Sequence, residues 1–223
     1  MFQKENPFEI PLPKFRVDTL GYGPRSFIGC TLLHKMIGEG HFLGISRYMA
    51  DLLTDAALNI GSCQYDGWKM ASPLWLVTNL NMKDPRLRKP MLDLVSILVK
   101  KGADVNHLAT NTAFADREDY RTSSPLCEAA RNGFSDVVSV LIMNGANATF
   151  GDEMPLVEAA KEMHEVVVKI LLDSGVDPDM QDTIGYNAMG WAKYNEDVFI
   201  INMLKEFGAD AEQSPWREVP WVI

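Results

Sequence analysis

The sequence predicts an all-α repeat solenoid, because one short motif recurs and a second helical stretch and a glycine turn follow each copy. The motif is clear at residues 124–130 (SPLCEAA) and 154–160 (MPLVEAA), and weaker at 72–75 (SPLW) and 187–192 (NAMGWA). In the last three copies the turn glycine comes 21 residues after the start of the motif. The turns are Gly102-Ala103-Asp104, Gly145-Ala146-Asn147, Gly175-Val176-Asp177 and Gly208-Ala209-Asp210.

Each part of the motif has a physical role. Ser124 before Pro125 predicts a helix N-cap with proline at the first helical position, where the missing N–H costs nothing. Paired alanines, at 129–130 and 159–160, allow neighbouring helices to approach closely. The turn glycines predict left-handed helix stops. Apolar residues predict the buried face of each second helix, namely Val137, Val138, Val140, Leu141 and Ile142, then Val166, Val167, Val168, Ile170, Leu171 and Leu172.

The motif resembles the Thr-Pro-Leu-His-x-Ala signature of the ankyrin repeat, which recurs with a period near 33 residues. The resemblance implies stacked helix-turn-helix ankyrin repeats with projecting, hairpin-like finger loops. We expect about five repeats within residues 29–212. The first is degenerate, since Thr31-Leu32-Leu33-His34 lacks the proline. Their predicted bounds are approximately 29–61, 67–106, 120–149, 150–180 and 183–212.

The sequence predicts four segments beyond the basic repeat: one at each end of the chain and two insertions. Residues 1–28 are rich in proline and predict an extended arm. Residues 213–223 contain Trp216 and Trp221, and predict either an apolar cap on the stack or a partner-binding peptide. The second repeat is longer than the later ones, and we place its extra residues, 81–90, between its two helices. This insertion is basic, which is consistent with either a solvated loop or a binding patch for an acidic partner. The long connection 106–125 predicts a projecting finger loop.

Composition excludes several classes of function. The net charge of −9 argues against a general nucleic-acid or anionic-membrane binder. Cys30, Cys63 and Cys127 are too few and too far apart for a disulfide framework, so we expect free thiols in a reducing compartment. Neither a signal peptide nor a membrane span is apparent. We therefore expect a cytoplasmic protein that is monomeric on its own, with delivery into a host cell left open.

The search for chemistry predicts no catalytic, cofactor-binding or metal site. His34, His41, His107 and His164 are isolated from one another in the sequence. The acidic run 177–182 lacks the spacing of a calcium loop, and in the family an Asp in this segment braces neighbouring fingers.

The resemblance implies a non-catalytic protein-protein interaction module that binds a partner protein through its concave face and finger loops. The concave face is formed by the first helix of each repeat. Aromatic residues and arginines are favoured as contacts because they dominate interface energies. The candidate partner-binding residues are Tyr65, Trp68, Asn79, Phe114, Arg117, Tyr120, Glu128, Arg131, Phe150, Asp152, Glu158, Lys161, Tyr186, Trp191 and Tyr194.

Two alternatives belong to other classes. In the first, the chain is an adaptor: a targeting subunit or host-directed effector that recruits an enzyme through its terminal segments. In the second, it is an enzyme with its site within residues 1–70, where the repeat pattern is weakest. No constellation of catalytic residues in that segment favours the enzyme.

Overall fold

The helical part of the chain is a series of helix pairs. A computed structural model describes residues 36–38, 42, 63–65, 68–80, 85–111 and 121–210. The first helix of each pair is here called the inner helix and the second the outer helix. The inner helices are α1 (Pro73–Asn79), α3 (Pro125–Arg131), α5 (Pro155–Lys161) and α7 (Ala188–Tyr194). The outer helices are α2 (Arg88–Lys100), α4 (Ser135–Met143), α6 (Glu165–Asp173) and α8 (Val198–Glu206).

The pairs stack in chain order, which confirms the predicted solenoid. Each inner helix packs against the inner helix of the next pair, and each outer helix packs against the next outer helix. The alanine pairs lie at these contacts and are fully buried. Apolar residues of neighbouring pairs form one continuous core, since a single pair cannot cover its own apolar face.

The predicted helix starts and stops are confirmed. The Ser124 hydroxyl accepts a hydrogen bond from the Cys127 N–H at 3.2 Å, and Ser72 caps α1 in the same way. Asn187 caps α7, accepting from the Gly190 N–H at 2.8 Å. The four turn glycines all have φ between +84° and +92°, the left-handed conformation that ends a helix.

Two details of the prediction were wrong. The insertion in the second repeat was placed too far along the chain: a short 3-10 turn, Pro85–Leu87, leads into α2 at Arg88, so residues 88–90 are helical. Pro90 is tolerated because it lies in the first turn, where N–H groups have no helical partner. Val166 was assigned to the buried face of its helix, yet 63% of it is exposed. It is the second residue of α6, and its direction from the helix axis points away from the neighbouring pairs.

The first two fingers form one sheet. Strands β1 (Cys63–Tyr65), β2 (Trp68–Ala71), β3 (Ala109–Asn111) and β4 (Arg121–Ser123) lie in the order β1-β2-β3-β4 with every neighbour antiparallel. Pairs β1–β2 and β3–β4 are the stems of two fingers, and β2–β3 joins one finger to the next. The hairpin-like fingers are confirmed, and their strand pairing links neighbouring repeats.

The later fingers are joined by hydrogen bonds of side chains and backbone outside this sheet. Asp152 accepts hydrogen bonds from the N–H and the hydroxyl of Thr122, both at 2.8 Å, and its own carbonyl accepts from the Thr183 N–H at 3.3 Å. Asp179 accepts from the Asp210 N–H at 2.9 Å, so this carboxylate braces the next turn, as expected for the acidic run. These bonds fix the lateral spacing of the fingers.

Met36, Ile37 and Phe42 are buried in the core, and residues 36–38 and 42 are helical, within the predicted first repeat. The remaining residues of that repeat, the arm 1–28 and the tail 213–223 lie outside the described residues. The five repeat bounds stay predictions.

Gly133 generates a test of the packing between repeats. Gly133 has φ +70°, in the left-handed region. The equivalent residues of the next two repeats, Met163 (φ +58°) and Glu196 (φ +56°), have similar angles, so this turn accepts side chains. A Cβ on Gly133, however, would lie 2.7 Å from the imidazole of His164, which bonds the Arg131 carbonyl through Nε2 at 3.0 Å. We expect Gly133→Ala to lower the free energy of unfolding by about 2–3 kcal/mol, because alanine is strained in the left-handed conformation and its Cβ displaces the imidazole. Urea denaturation measures this loss.

The control is Gly145→Ala, since Gly145 has φ +84° with no atom within 4 Å of the added Cβ. It should cost about 1 kcal/mol, the conformational part alone. In a His164→Ala background the excess cost of Gly133→Ala should disappear. Equal costs for the two glycine variants would contradict this account.

Candidate functional site

The inner helices present two rows of equivalent side chains to one face of the stack. The fourth residue of each inner helix forms the first row and the seventh forms the second. In α3, α5 and α7 the first row is Glu128, Glu158 and Trp191, and the second is Arg131, Lys161 and Tyr194. The face changes from charged to aromatic along the stack.

Glu128 is the most buried member of the charged part. Its side chain is fully buried. One carboxylate oxygen accepts from the Asn79 amide at 2.7 Å, and the other accepts from the Ser123 hydroxyl at 2.5 Å and from Arg131 Nη1 at 2.6 Å. The carboxylate therefore joins three successive segments: α1, β4 and α3.

Arg131 holds three carboxylates at once. Besides Glu128, its Nε donates to Glu158 Oε2 at 3.0 Å, and its Nη2 donates to Glu153, just before α5. Burial alone would lower the pKa of Arg131, but Glu128 and the other nearby anionic groups raise it well above its usual range. The guanidinium therefore stays charged and fixes the register between the third and fourth repeats.

The two carboxylates of the fourth repeat respond in opposite directions. Burial raises the pKa of Glu153, and Arg131 only partly offsets it. Burial would also raise the pKa of Glu158, yet Arg131 and Lys161 together lower it. Lys161 Nζ lies 3.3 Å from Glu158 Oε2. The second cation makes the difference between the two groups.

Several of the predicted partner-binding residues make contacts inside the stack. Glu128 and Glu158 were expected to contact a partner, but both are buried, because they neutralise Arg131 inside the stack. Asp152 is likewise used internally, by Thr122. Asn79 donates to Glu128. The sequence analysis did not select Glu153. The available signal was its position directly before the motif Met154-Pro155, which places its carboxylate beside the end of the preceding inner helix, α3.

The aromatic part of the face is more open. The Trp191 ring lies 5.7 Å from the Tyr186 ring and 5.8 Å from the Tyr194 ring, centroid to centroid, and the latter pair is edge-to-face. Lys161 Nζ lies 5.5 Å from the Trp191 centroid, within cation–π range. Tyr194 is 57% exposed. We call Lys161, Tyr186, Trp191 and Tyr194 the Trp191 cluster.

The other predicted contacts are spread over the fingers. Tyr65 lies in β1, Trp68 lies in β2, and Phe150 is an exposed residue between α4 and α5. Phe114, Arg117 and Tyr120 lie outside the described residues. The structure thus brings Lys161 of the fourth repeat together with Trp191 of the fifth, and Trp191 in turn contacts the rings of Tyr186 and Tyr194.

The described residues hold no cluster of His, Cys, Asp and Glu that could bind a metal ion. Cys127 is a free, buried thiol, and burial raises its pKa, which disfavours the reactive thiolate. His164 bonds the Arg131 carbonyl and His107 bonds the Met70 carbonyl, so both imidazoles serve the stack. Among the described helices, none has the length and apolar character that crossing a membrane requires.

Comparisons with known proteins agree with the fold. Residues 126–215 match a family model described as ankyrin repeats (3 copies). The chain is 28% identical over 121 residues to an ankyrin repeat-containing protein of Treponema pallidum (strain Nichols). That match covers 53% of this chain and 38% of the relative, so the matched part spans about two fifths of the relative's length. The crystal structure of the human ASB11 ankyrin repeat domain is similar with a TM-score of 0.62 and 22% identity, over 84% of this chain and 73% of that one.

Removing the central cation should destabilise the stack. We expect Arg131→Met to lower the free energy of unfolding by about 3 kcal/mol, because Glu128 and Glu153 lose the cation that pairs their largely buried carboxylates and Glu158 keeps only Lys161. Lys169→Met is the matched control: its pair with Asp173 is about half exposed, so the loss should stay under about 1 kcal/mol. Urea denaturation of both variants measures the difference, and similar small losses would contradict a central role for Arg131.

The opposite pKa shifts predict opposite pH dependences. Since the pKa of Glu158 is lowered by folding from its ordinary 4.5, its ionised form stabilises the fold above pH 4.5, and that contribution is lost as the pH falls through the lowered value. The stability gap between wild type and Glu158→Gln should therefore shrink below pH 4.5. Denaturation between pH 3 and pH 7 measures it, and a constant gap would count against the shift.

Glu153→Gln supplies the contrasting curve. The raised pKa of Glu153 makes its charge unfavourable above that pKa, so the wild type should gain stability relative to this variant as the pH falls through the raised value towards 4.5. Parallel curves for the two variants would refute the assignment.

Proposed function

Because the chain carries an ankyrin-repeat domain, and such repeats generally act as protein-protein interaction modules, we propose that it binds a partner protein through the inner-helix face at the Trp191 cluster. The family is generally non-catalytic. The proposal adds the location of the contact and the residues that make it.

The observation that carries the proposal is a partly exposed aromatic cluster on a face whose charged residues otherwise pair with one another. In the third and fourth repeats the charged residues of this face neutralise one another within the stack. In the fifth repeat the same two positions hold Trp191 and Tyr194, and Tyr194 is 57% exposed. Aromatic side chains supply most of the energy at protein interfaces.

The geometry of the cluster reduces the cost of binding. Trp191 is held by ring contacts with Tyr186 and Tyr194 and by the cation of Lys161. Side chains that are already ordered lose little conformational entropy when a partner docks. The cluster suits apolar or aromatic side chains of the partner, which can pack on its rings while its polar edges remain in water.

Phe150, which is 44% exposed between α4 and α5, is a further aromatic contact in this proposal. The finger contacts predicted at Tyr65, Trp68, Phe114, Arg117 and Tyr120 remain part of the proposal on sequence grounds, as does Asn79 beside Glu128.

We further propose that the module has no catalytic activity and is monomeric alone in a reducing cytoplasm. The net charge of −9 supports the proposal that it binds neither nucleic acid nor anionic membranes. An adaptor role through residues 1–28 or 213–223 stays a sequence-based alternative.

The test compares wild type with a Trp191→Ala/Tyr194→Ala variant by affinity capture from native lysate and quantitative mass spectrometry. A protein bound through this cluster should be depleted at least tenfold in the variant, since each interface aromatic contributes on the order of 2 kcal/mol. Met143→Ser, which changes an exposed apolar residue of an outer helix, is the control and should capture the same protein as wild type.

Variants must match wild type in thermal stability before their capture is compared. A protein held equally by wild type and the double variant would place the contact elsewhere. The absence of any protein enriched above a blank resin would argue against the module binding a partner in that lysate.

A further inference from the structure

A second apolar surface lies on the opposite edge of the stack from the fingers. Each finger precedes an inner helix and follows an outer helix, so the turn between the two helices lies at the far end. Four apolar residues at or beside these turns are more than half exposed. We call them the turn edge: Met163, Val166, Val198 and Phe199.

The repeat fold does not require apolar residues at these positions. The second residue of the outer helix is Val166 in α6 and Phe199 in α8, but in α4 it is the exposed Asp136. The first residue is Val198 in α8, but Ser135 in α4 and Glu165 in α6. The equivalents of Met163 are Gly133 and Glu196. Stacking therefore does not account for the apolar side chains, although leaving them in water lowers solubility.

The charged residues at these two turns are acidic, and Lys169, which lies one helical turn beyond Val166 on α6, is paired with Asp173 at 2.6 Å. Glu162, Glu165 and Glu196 are exposed beside the apolar residues. The sequence has no Lys or Arg between Lys161 and Lys169, nor between Lys193 and Lys205. An apolar strip with an acidic rim complements a ligand that is apolar on one side and basic on its flanks.

The spacing of the strip matches a helix. Since α6 and α8 pack against each other, their equivalent residues are separated by about 8–10 Å, the usual distance between packed helices. Residues seven apart on one helix are separated by about 10.5 Å on the same side. A helix lying across the two repeats can therefore place one apolar side chain against Val166 and the next against Phe199.

We propose that the turn edge is a docking site for a basic amphipathic helix of a partner protein, separate from the Trp191 cluster. The partner helix packs its apolar side chains against Met163, Val166, Val198 and Phe199, and its Lys or Arg side chains face Glu162, Glu165 and Glu196. This surface allows the module to hold two partner segments at once.

The probe is a fluorescein-labelled 18-residue peptide of leucine and lysine with a helical amphipathic pattern, titrated with the full chain and followed by fluorescence anisotropy. A peptide of the same composition in scrambled order controls for net charge. We expect the patterned peptide to bind wild type at least tenfold more tightly than the scrambled one. Val166→Ser/Phe199→Ser should weaken the patterned peptide at least tenfold, whereas Met143→Ser and Trp191→Ala/Tyr194→Ala should leave it unchanged.

A second variant keeps the test decisive if the first unfolds. Glu162→Gln/Glu165→Gln changes only exposed carboxylates, and it should weaken binding and flatten its dependence on salt concentration. Equal binding of the two peptides, or binding unaffected by these variants, would overturn the proposal. So would a dimer in sedimentation velocity that Val166→Ser/Phe199→Ser abolishes, because the strip would then be covered by a second copy of the chain.

Discussion

The close approach of successive inner helices is the constraint on which the rest of the structure depends. Ala129 and Ala130 of α3 and Ala159 and Ala160 of α5 are fully buried where these helices meet. With larger side chains there, the helices would separate and the apolar faces of the outer helices would no longer cover one another. At the position of Ala130 and Ala160, α7 carries the exposed Lys193, which marks this face of α7 as different from those of α3 and α5.

Close packing also decides which polar groups can stay. The inner helices bring Arg131 within reach of carboxylates from three segments, and the resulting network is satisfied internally. A buried network of this kind contributes little net stability compared with an apolar one, but it penalises every misaligned arrangement, because any slip leaves a charge without its partner. The apolar core holds the repeats together, and Arg131 selects their register.

The sequence predicts the features that depend on a few neighbouring residues. Ser124 with Pro125 predicts a helix start, and Gly145 predicts its end, because caps and left-handed turns are local. Burial of single side chains depends on helix rotation, which changes by 100° per residue, so Val166 looked like a core residue although Val167 and Val168 are the ones that are buried.

Contacts between repeats are harder to predict because they join residues about thirty positions apart. Glu128 and Glu158 occupy the right positions for a binding face, but both pair with Arg131 and with further neighbours inside the stack. The aromatic contact of Trp191 with Tyr186 and Tyr194 was within reach of the sequence, since all three belong to one repeat.

The pairing of β3 with β4 has a consequence for how the protein can evolve. Asn111 and Arg121 are paired residues of one hairpin, so the chain leaves the sheet and re-enters it at neighbouring points. Residues can be inserted or deleted between those points without changing the distance between the second and third repeats. Lengthening a loop whose ends are already held together costs little entropy. The sequence between 111 and 121 can therefore change during evolution while the helices keep one unaltered framework.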